Sequence, residues 1–525
     1  MFIKIPFLYL KYFILSSKKT KILKKKEIYI ISDLHIGGAA PQNGEVRGFQ
    51  IATRTKELAA FIYEIANRND AEIELVINGD IVDFLAEKNT NATENTPLEF
   101  AFDDFTYDAD EVIKKLHRIV KRELHVFSAL RTLLANGHAL TLLLGNHDVE
   151  LALPKVRKYL EKILNTKGKK YQFLHDGEAY MVANGQVLVE HGNRYDEWNE
   201  VDYDNLLKLR TLQTLNEERS KSELKAIFRS PRGSQFVQQI MNPIKKRYRF
   251  IDLIKPENET IIPLMLALEP SLRSQIIRLF KIYAKDVIND FLENDENVTT
   301  RSISPAVARS SQQQEEEEMK DILSAILPKE MSADDFMQAL EVEQHTDFEI
   351  VTERGITERS LGTSPALSFG WVSGVFDLLF RNRKSDLKKR LPALLQSLRI
   401  LQTDKSFELD SENLTDYLNA ANRLRRNGFQ YVVFGHTHFA RQVSLGDNSY
   451  YYNTGTWADL MQFPQEILYA ENEQQALERL ETFLEEITGE ELNKHILFRP
   501  TYVHIYLDEN ENVDSIDLCE FQYLL

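Results

Sequence analysis

The chain has 525 residues, too many for one ordinary domain and enough for a large core with an insertion or a second module. With 43% hydrophobic and 10% aromatic residues it is globular rather than disordered. A net charge of −16 argues against tight nonspecific binding to nucleic acid, and the single cysteine, Cys519, excludes an internal disulfide framework and suits a reducing cytosol.

Residues 1–26 form a basic, apolar leader with eight lysines and no acid. Lys4 and Lys11 interrupt its apolar stretch, which is shorter than the roughly 20 residues that span a bilayer. No small-residue cleavage site follows it. The leader is compatible with contact to an anionic membrane surface, with a disordered arm, or with an upstream start. The expected location is cytoplasmic, with peripheral membrane contact left open.

Strands and helices then alternate. The apolar run 27–32 predicts a strand. Residues 50–67 predict a helix with Leu58, Phe61, Ile62 and Ile65 on one face. A second strand follows at 73–78. A long helix is expected over 108–135, where Val112, Leu116, Ile119, Val120, Phe127, Leu130 and Leu134 recur at helical spacing before Asn136-Gly137. Further strands are expected at 139–144, 186–190, 430–434 and 449–453, and the tail reads as two strands around an Asp-Glu-Asn turn. Such alternation implies a layered α/β core. The interval 201–410 is polar with helical patterning and reads as one large helical insertion, including the acidic low-complexity stretch 310–318. The expected segments are the leader 1–26, a first core part 27–200, a helical cap 201–410, a second core part 411–470, and a C-terminal helix and β-hairpin 471–525.

Chemistry-bearing residues stand directly after the strands. The first is followed by "SDLHIGG", with Asp33 and His35. The second gives "NGDIVDF", with Asp80 and Asp83. The third gives "GNHD", with Asn146, His147 and Asp148. The fourth gives "EHGN", with His191, and the fifth "FGHTH", with His436 and His438. In an α/β sheet the loops at the carboxyl ends of the strands converge on one crevice. Each motif alone is weak to moderate, since Gly-Asp and Gly-Asn also serve ordinary turns. In conjunction, and in order, they are strong. Carboxylate, amide and imidazole donors without a thiolate suit Mn, Fe, Zn or Co. Seven ligands are too many for one ordinary site and suit two ions sharing a carboxylate. Two ions about 3.5–4 Å apart clamp the attacking and leaving oxygens of a displacement at phosphorus.

The set "DLH … GDIVD … GNHD … HG … GHTH" resembles the calcineurin-like metallophosphoesterase superfamily, over roughly residues 27–200 and 428–457. The resemblance implies a four-layer αββα sandwich, two mixed β-sheets flanked by helices, with a dinuclear centre at its rim. It implies that Asp33, His35, Asp80 and His438 hold one ion, and that Asp80, Asn146, His191 and His436 hold the other, Asp80 bridging. A water shared by the two ions, deprotonated near neutral pH, would be the nucleophile. His147 would stand over the phosphoryl group and Asp83 would orient it. Asp148 either braces the loop or serves the turn.

Two departures bear on substrate. Phe84 stands where protein-phosphatase members carry a phosphate-gripping arginine. His147 stands where the lipid-A-pathway pyrophosphatases carry one. The expected reaction is hydrolysis of a phosphodiester, phosphomonoester or pyrophosphate bond in a small or lipid-like substrate. The alternatives are a scaffold or regulatory assembly protein with little activity, and a nuclease, which would need a basic path for the strand. The run 369–390, with Trp371 followed by Arg381, Arg383, Lys384, Lys388, Lys389 and Arg390, reads as a cap helix with a solvated basic end or as a lipid-facing element.

Overall fold

Four parallel strands carry the first three motif loops. They are β1 (Lys25–Ile31), β2 (Ala71–Asn78), β3 (Ala139–Leu143) and β4 (Lys170–Leu174). The computed structural model describes residues 25–39, 48–215, 219–255, 257–273, 374–375, 377–381, 386–403 and 405–523. The leader up to residue 24, the acidic stretch 310–318, Trp371, Arg383 and Lys384 lie outside the described residues.

The tail adds two antiparallel strands to this sheet, β10 (Thr501–Leu507) and β11 (Val513–Glu520), giving the order β11-β10-β1-β2-β3-β4. A second sheet has five strands, β5 (Tyr180–Val182), β6 (Val187–Val189), β7 (Tyr431–Phe434), β8 (Ala440–Gly446) and β9 (Ser449–Thr454). Its order is β8-β9-β7-β6-β5, with β7 parallel to both β6 and β9. Both sheets are therefore mixed, and the fold is mixed α/β.

Side-chain alternation divides the core. Ile28, Ile30, Val76 and Leu143 of the first sheet share one apolar cluster with Val187, Val189, Val433 and Tyr452 of the second. Their neighbours Tyr29, Ile31, Leu75 and Leu142 point to the opposite face. Helices cover that face: α1 (Thr55–Ala66), α2 (Ala109–Arg122), α3 (Leu124–Ala135), α4 (Pro154–Leu164) and α5 (Tyr203–Thr214). Each fully buried Leu or Ile contributes roughly 1.5–3 kcal/mol relative to exposure. Between the insertion and β7, α8 (Thr415–Arg426) packs Tyr417, Ala420 and Ala421 against Val432 and Phe434 of the second sheet; its label follows α6 (Glu257–Leu268) and α7 (Leu387–Leu398).

The long helix expected over 108–135 is two helices. Asp108 caps α2, and Lys121 and Arg122 meet its C-terminal dipole. At Glu123 the backbone leaves helical geometry (φ −105°, ψ 35°), and the Glu123 carboxylate accepts a hydrogen bond from Thr55 Oγ1 at 2.7 Å. This tertiary contact breaks a periodicity that reads as continuous. The half-exposed edge strand β4 and the short β5 also lie outside the strands expected from sequence.

The described residues of the interval 201–410 do two things. Leu206, Leu209 and Phe228 join the helix-side core. Farther on, Phe250, Leu264, Val375, Leu379 and Leu394 form an apolar cluster with Met461 and with Leu480 and Phe483 of α9 (Glu473–Thr488). The strand Ile254–Lys255 pairs with Leu460–Gln462, which pairs with Ile496–Leu497. Among the described residues no helix is long and apolar enough to cross a membrane.

Candidate metal centre

The loops after β1 and β2 are stitched together by backbone. Leu34 and His35 both donate to the Asp80 carbonyl at 2.9 Å, and Ile36 donates to Ile81 at 3.0 Å. The segment after β9 grips the first loop, since Thr456 Oγ1 and the Trp457 amide donate to the Asp33 carbonyl at 2.7 and 3.2 Å. Asp33 (φ 52°), His35 (φ 42°), Asp80 (φ 50°), His436 (φ 69°) and His438 (φ 65°) all have left-handed backbone. Each such residue costs on the order of 1–3 kcal/mol and persists only where its surroundings over-determine it. Five strained residues in one place mark a site rather than a set of ordinary turns.

Two groups of donors result. In the first, donor atoms of Asp33, His35 and His438 lie within 4.8 Å of one another. His35 Nε2 is 3.0 Å from His438 Nε2, and Asp33 Oδ1 is 3.4 Å from His438 Nε2. Asp33 Oδ2 is already engaged, by Ser32 Oγ and by the His436 amide at 2.9 Å. Asp33 Oδ1 is buried and accepts no hydrogen bond. In the second, donor atoms of Asp80, His191 and His436 lie within the same 4.8 Å limit. His191 Nε2 is 3.3 Å from Asp80 Oδ2 and 3.2 Å from Asn146 Oδ1. His191 Nδ1 faces the Asn78 carbonyl at 2.8 Å, which assigns a proton to Nδ1 and points Nε2 toward Asp80 and Asn146. Buried acceptors aimed at one another fit a divalent cation between them.

Asp80 belongs to the second group and reaches toward the first. Its Oδ2 is also 3.8 Å from His35 Nε2, and its Oδ1 accepts the His147 amide at 2.8 Å. The protonation pattern shows the same demand for positive charge. Burial opposes ionisation of Asp33, but the close approach of His438 and the charge of His191 prevail and lower it to about 2. Burial likewise opposes a charge on His191, and the Asp80 carboxylate overrides it, raising His191 to about 10. His35 is lowered to about 3, chiefly by burial and then by the charge of His147.

His147 differs from the other motif histidines. Its Nδ1 is 3.5 Å from Asp83 Oδ1, and 23% of its side chain is exposed, the most of the five. Its ring meets His35 edge-on, 4.7 Å between centroids. Asp83 is anchored by the Ala86 amide at 3.1 Å. Burial would raise its carboxyl, but the hydrogen bond and charge of His147 hold it down at about 2. Asp83 therefore stays ionised beside His147. Phe84 is buried in the helix-side core.

Asp148 braces the loops. It accepts from the Gly145 and Ile81 amides at 2.8 and 2.7 Å. Burial, and then the nearby Asp80 charge, raise it to about 7. Two partners had no signal in the sequence. Asp196 Oδ2 lies 3.1 Å from His436 Nε2 and accepts Asn199 Nδ2 at 2.7 Å, so it orients His436 from behind. Asn453 donates to the Gly435 carbonyl at 2.7 Å and holds the last motif loop. Asn453 ends an expected strand and Asp196 stands in no motif, and only the pairing of distant segments reveals them.

Glycine is required where the loops pass the carboxylates. A Cβ on Gly145 would collide with the Asp80 side chain and backbone, and one on Gly79 (φ +84°) with the His191 ring. Gly145→Ala is expected to fold and to lose most of its bound metal, measured by metal analysis beside far-UV circular dichroism. Retention of full metal content would show that the loop yields instead.

Residues 26–254 match the family model described as calcineurin-like phosphoesterase, so the chain carries a domain of that family, whose members are typically hydrolases that bind divalent metal ions. His436 and His438 lie beyond the matched residues, and the fold returns them to the loops within it. A search of curated proteins found no match to the chain.

Proposed function

We propose that this calcineurin-like phosphoesterase-domain protein is a dinuclear metal-dependent hydrolase of a phosphodiester, phosphomonoester or pyrophosphate bond. The observation that carries the reading is the place of Asp80, whose Oδ2 stands 3.3 Å from His191 Nε2 of one donor group and 3.8 Å from His35 Nε2 of the other. Asp33, His35, Asp80 and His438 would hold one ion, and Asp80, Asn146, His191 and His436 the second. Mn, Fe, Zn and Co all suit these donors. Bound cations would offset charge on the phosphoryl oxygens and acidify water. The succession of helices, sheet, sheet and helix supports the four-layer sandwich.

The chain's own groups supply the rest. Asp83 orients His147 through Nδ1, which leaves Nε2 on the far side of the ring for a proton passed to the leaving oxygen. Asp196 fixes His436, and the Asn78 carbonyl fixes His191. The insertion closes on the same loops. Gly233 donates to the Trp198 carbonyl at 2.7 Å beside Asn199, which accepts from Asn146 at 3.4 Å, and Asn242 Nδ2 donates to the Leu85 carbonyl at 2.9 Å. These contacts support a cap that restricts access, hence a small or lipid-like substrate. Buried Phe84 offers no grip on a phosphoprotein. The single cysteine is in keeping with a cytoplasmic setting.

The test is a Mn-loaded panel of generic monoester, diester, nucleotide and lipid-pyrophosphate substrates, with metal analysis of protein purified without chelator. About two ions per chain and turnover of a small substrate are expected. Cleavage of phosphopeptides alone, or folded protein that holds no metal, would overturn the proposal.

A further inference from the structure

A pocket of about 220 Å³ lies between α4 and α5, lined by Pro154 and Arg157 from the first helix and by Leu207, Arg210, Thr211 and Thr214 from the second. No residue placed at the metal centre lines it. Its two guanidinium groups are unequally served. Arg210 pairs with Asp176, and its Nη2 is 3.1 Å from His175 Nε2, yet its buried Nε donates to nothing. Among the described residues the Arg157 side chain shows no hydrogen bond or ion pair, and its buried Nη1 has no partner. Guanidinium N–H groups without partners in a cavity are costly, and they are rare unless something outside the chain accepts them.

We propose that Arg157 and Arg210 form a second binding site, separate from the metal centre, for a compact phosphate-type oxyanion. Planar guanidinium forks match the geometry of phosphate oxygens, and two of them offset a double negative charge. The electrostatics agree with the geometry. Burial lowers Arg157, and the Arg210 charge lowers it further. His175 is lowered to about 4, by burial first and then by the Arg157 and Arg210 charges, so it stays neutral and accepts from Arg210. The Glu161 and Asp176 carboxylates raise Arg157 in turn, yet the only one of them seen paired at the site is Asp176, with Arg210.

The test uses full-length Asp80→Asn protein, so that phosphate at the metal centre does not obscure the result; His438→Ala serves as an alternative background. Calorimetric titration with inorganic phosphate should show one site per chain. Adding Arg157→Gln should weaken it at least about tenfold, the loss of one charge-assisted contact, and Arg157→Lys should fall between. Melting temperatures give an independent sign. Without phosphate, Arg157→Gln should melt at or above its parent, because a like charge is removed. In millimolar phosphate the order should reverse. A parallel titration with butyl phosphate separates a bare from an esterified ligand, and preference for either supports the site. Equal phosphate affinity with and without Arg157, or an unchanged melting order, overturns it.

Discussion

Asp80→Asn is expected to lower turnover by on the order of 10³-fold or more, the several kcal/mol that a two-ion centre supplies. Asp80 stands in one donor group and approaches the other, with Oδ2 3.3 Å from His191 Nε2 and 3.8 Å from His35 Nε2. An amide keeps the shape and one acceptor oxygen but removes the charge that offsets repulsion between two cations. Its nitrogen would also be forced toward either the His147 amide, which now donates to Oδ1 at 2.8 Å, or the imidazoles. Metal content should therefore fall to one ion per chain or fewer. Stability gives a second readout. A ligand present at 100 times its dissociation constant stabilises the folded state by about 2.7 kcal/mol. Chelation should lower the melting temperature of the wild type markedly and that of Asp80→Asn much less. Equal metal content, or equal activity, would show that Asp80 does not bridge.

His147→Ala should keep both ions and lose on the order of 10²–10⁴-fold in turnover, the range for a positioned proton-transfer group. The geometry separates this residue from its neighbours. His147 is the most exposed of the motif histidines, and its Nδ1 faces the Asp83 carboxylate at 3.5 Å. Its side chain is absent from the Asp33–His35–His438 and Asp80–His191–His436 groups, though it does share a third with His35 and Asp83. Metal analysis therefore decides between two roles. Full metal content with low turnover assigns proton transfer, and an emptied site would make His147 a ligand. Asp83→Asn should show a milder form of the same defect, because it disturbs the orientation of the ring without removing it. The defect should be smaller for substrates with good leaving groups, which need less protonation.

Local chemistry made much of this protein readable from its sequence. β1, β2, β3 and β7 announce themselves as short apolar runs because both faces of those strands are buried. The donors stand directly after those runs, and parallel strands bring their carboxyl ends to one edge. That rule alone gathers Asp33, His35, Asp80, Asn146, His191, His436 and His438, and the structure places them in one region. What depends on distant pairing was not readable. Nothing near Glu123 foretells that Thr55 will break the helix there. Asp196 and Asn453 belong to no motif in the sequence, and their roles show only where they meet His436 and Gly435. Five candidate ligands take left-handed backbone, and hydrogen bonds between loops surround Asp33, His35 and Asp80. The interval 201–410 reads as polar helix, yet Leu264 and Leu394 share one apolar cluster with Leu480 and Phe483 of α9, far along the chain. Arg157 and Arg210 are unremarkable on separate helices and become a charged pocket only when α4 and α5 pack. Sequence determines which residues carry chemistry and on which element ends they stand, because periodicity and turn preference act over a few residues. Tertiary structure decides which of them meet, how their backbones are strained and which charges are left unbalanced, because burial and long-range hydrogen bonds set those terms.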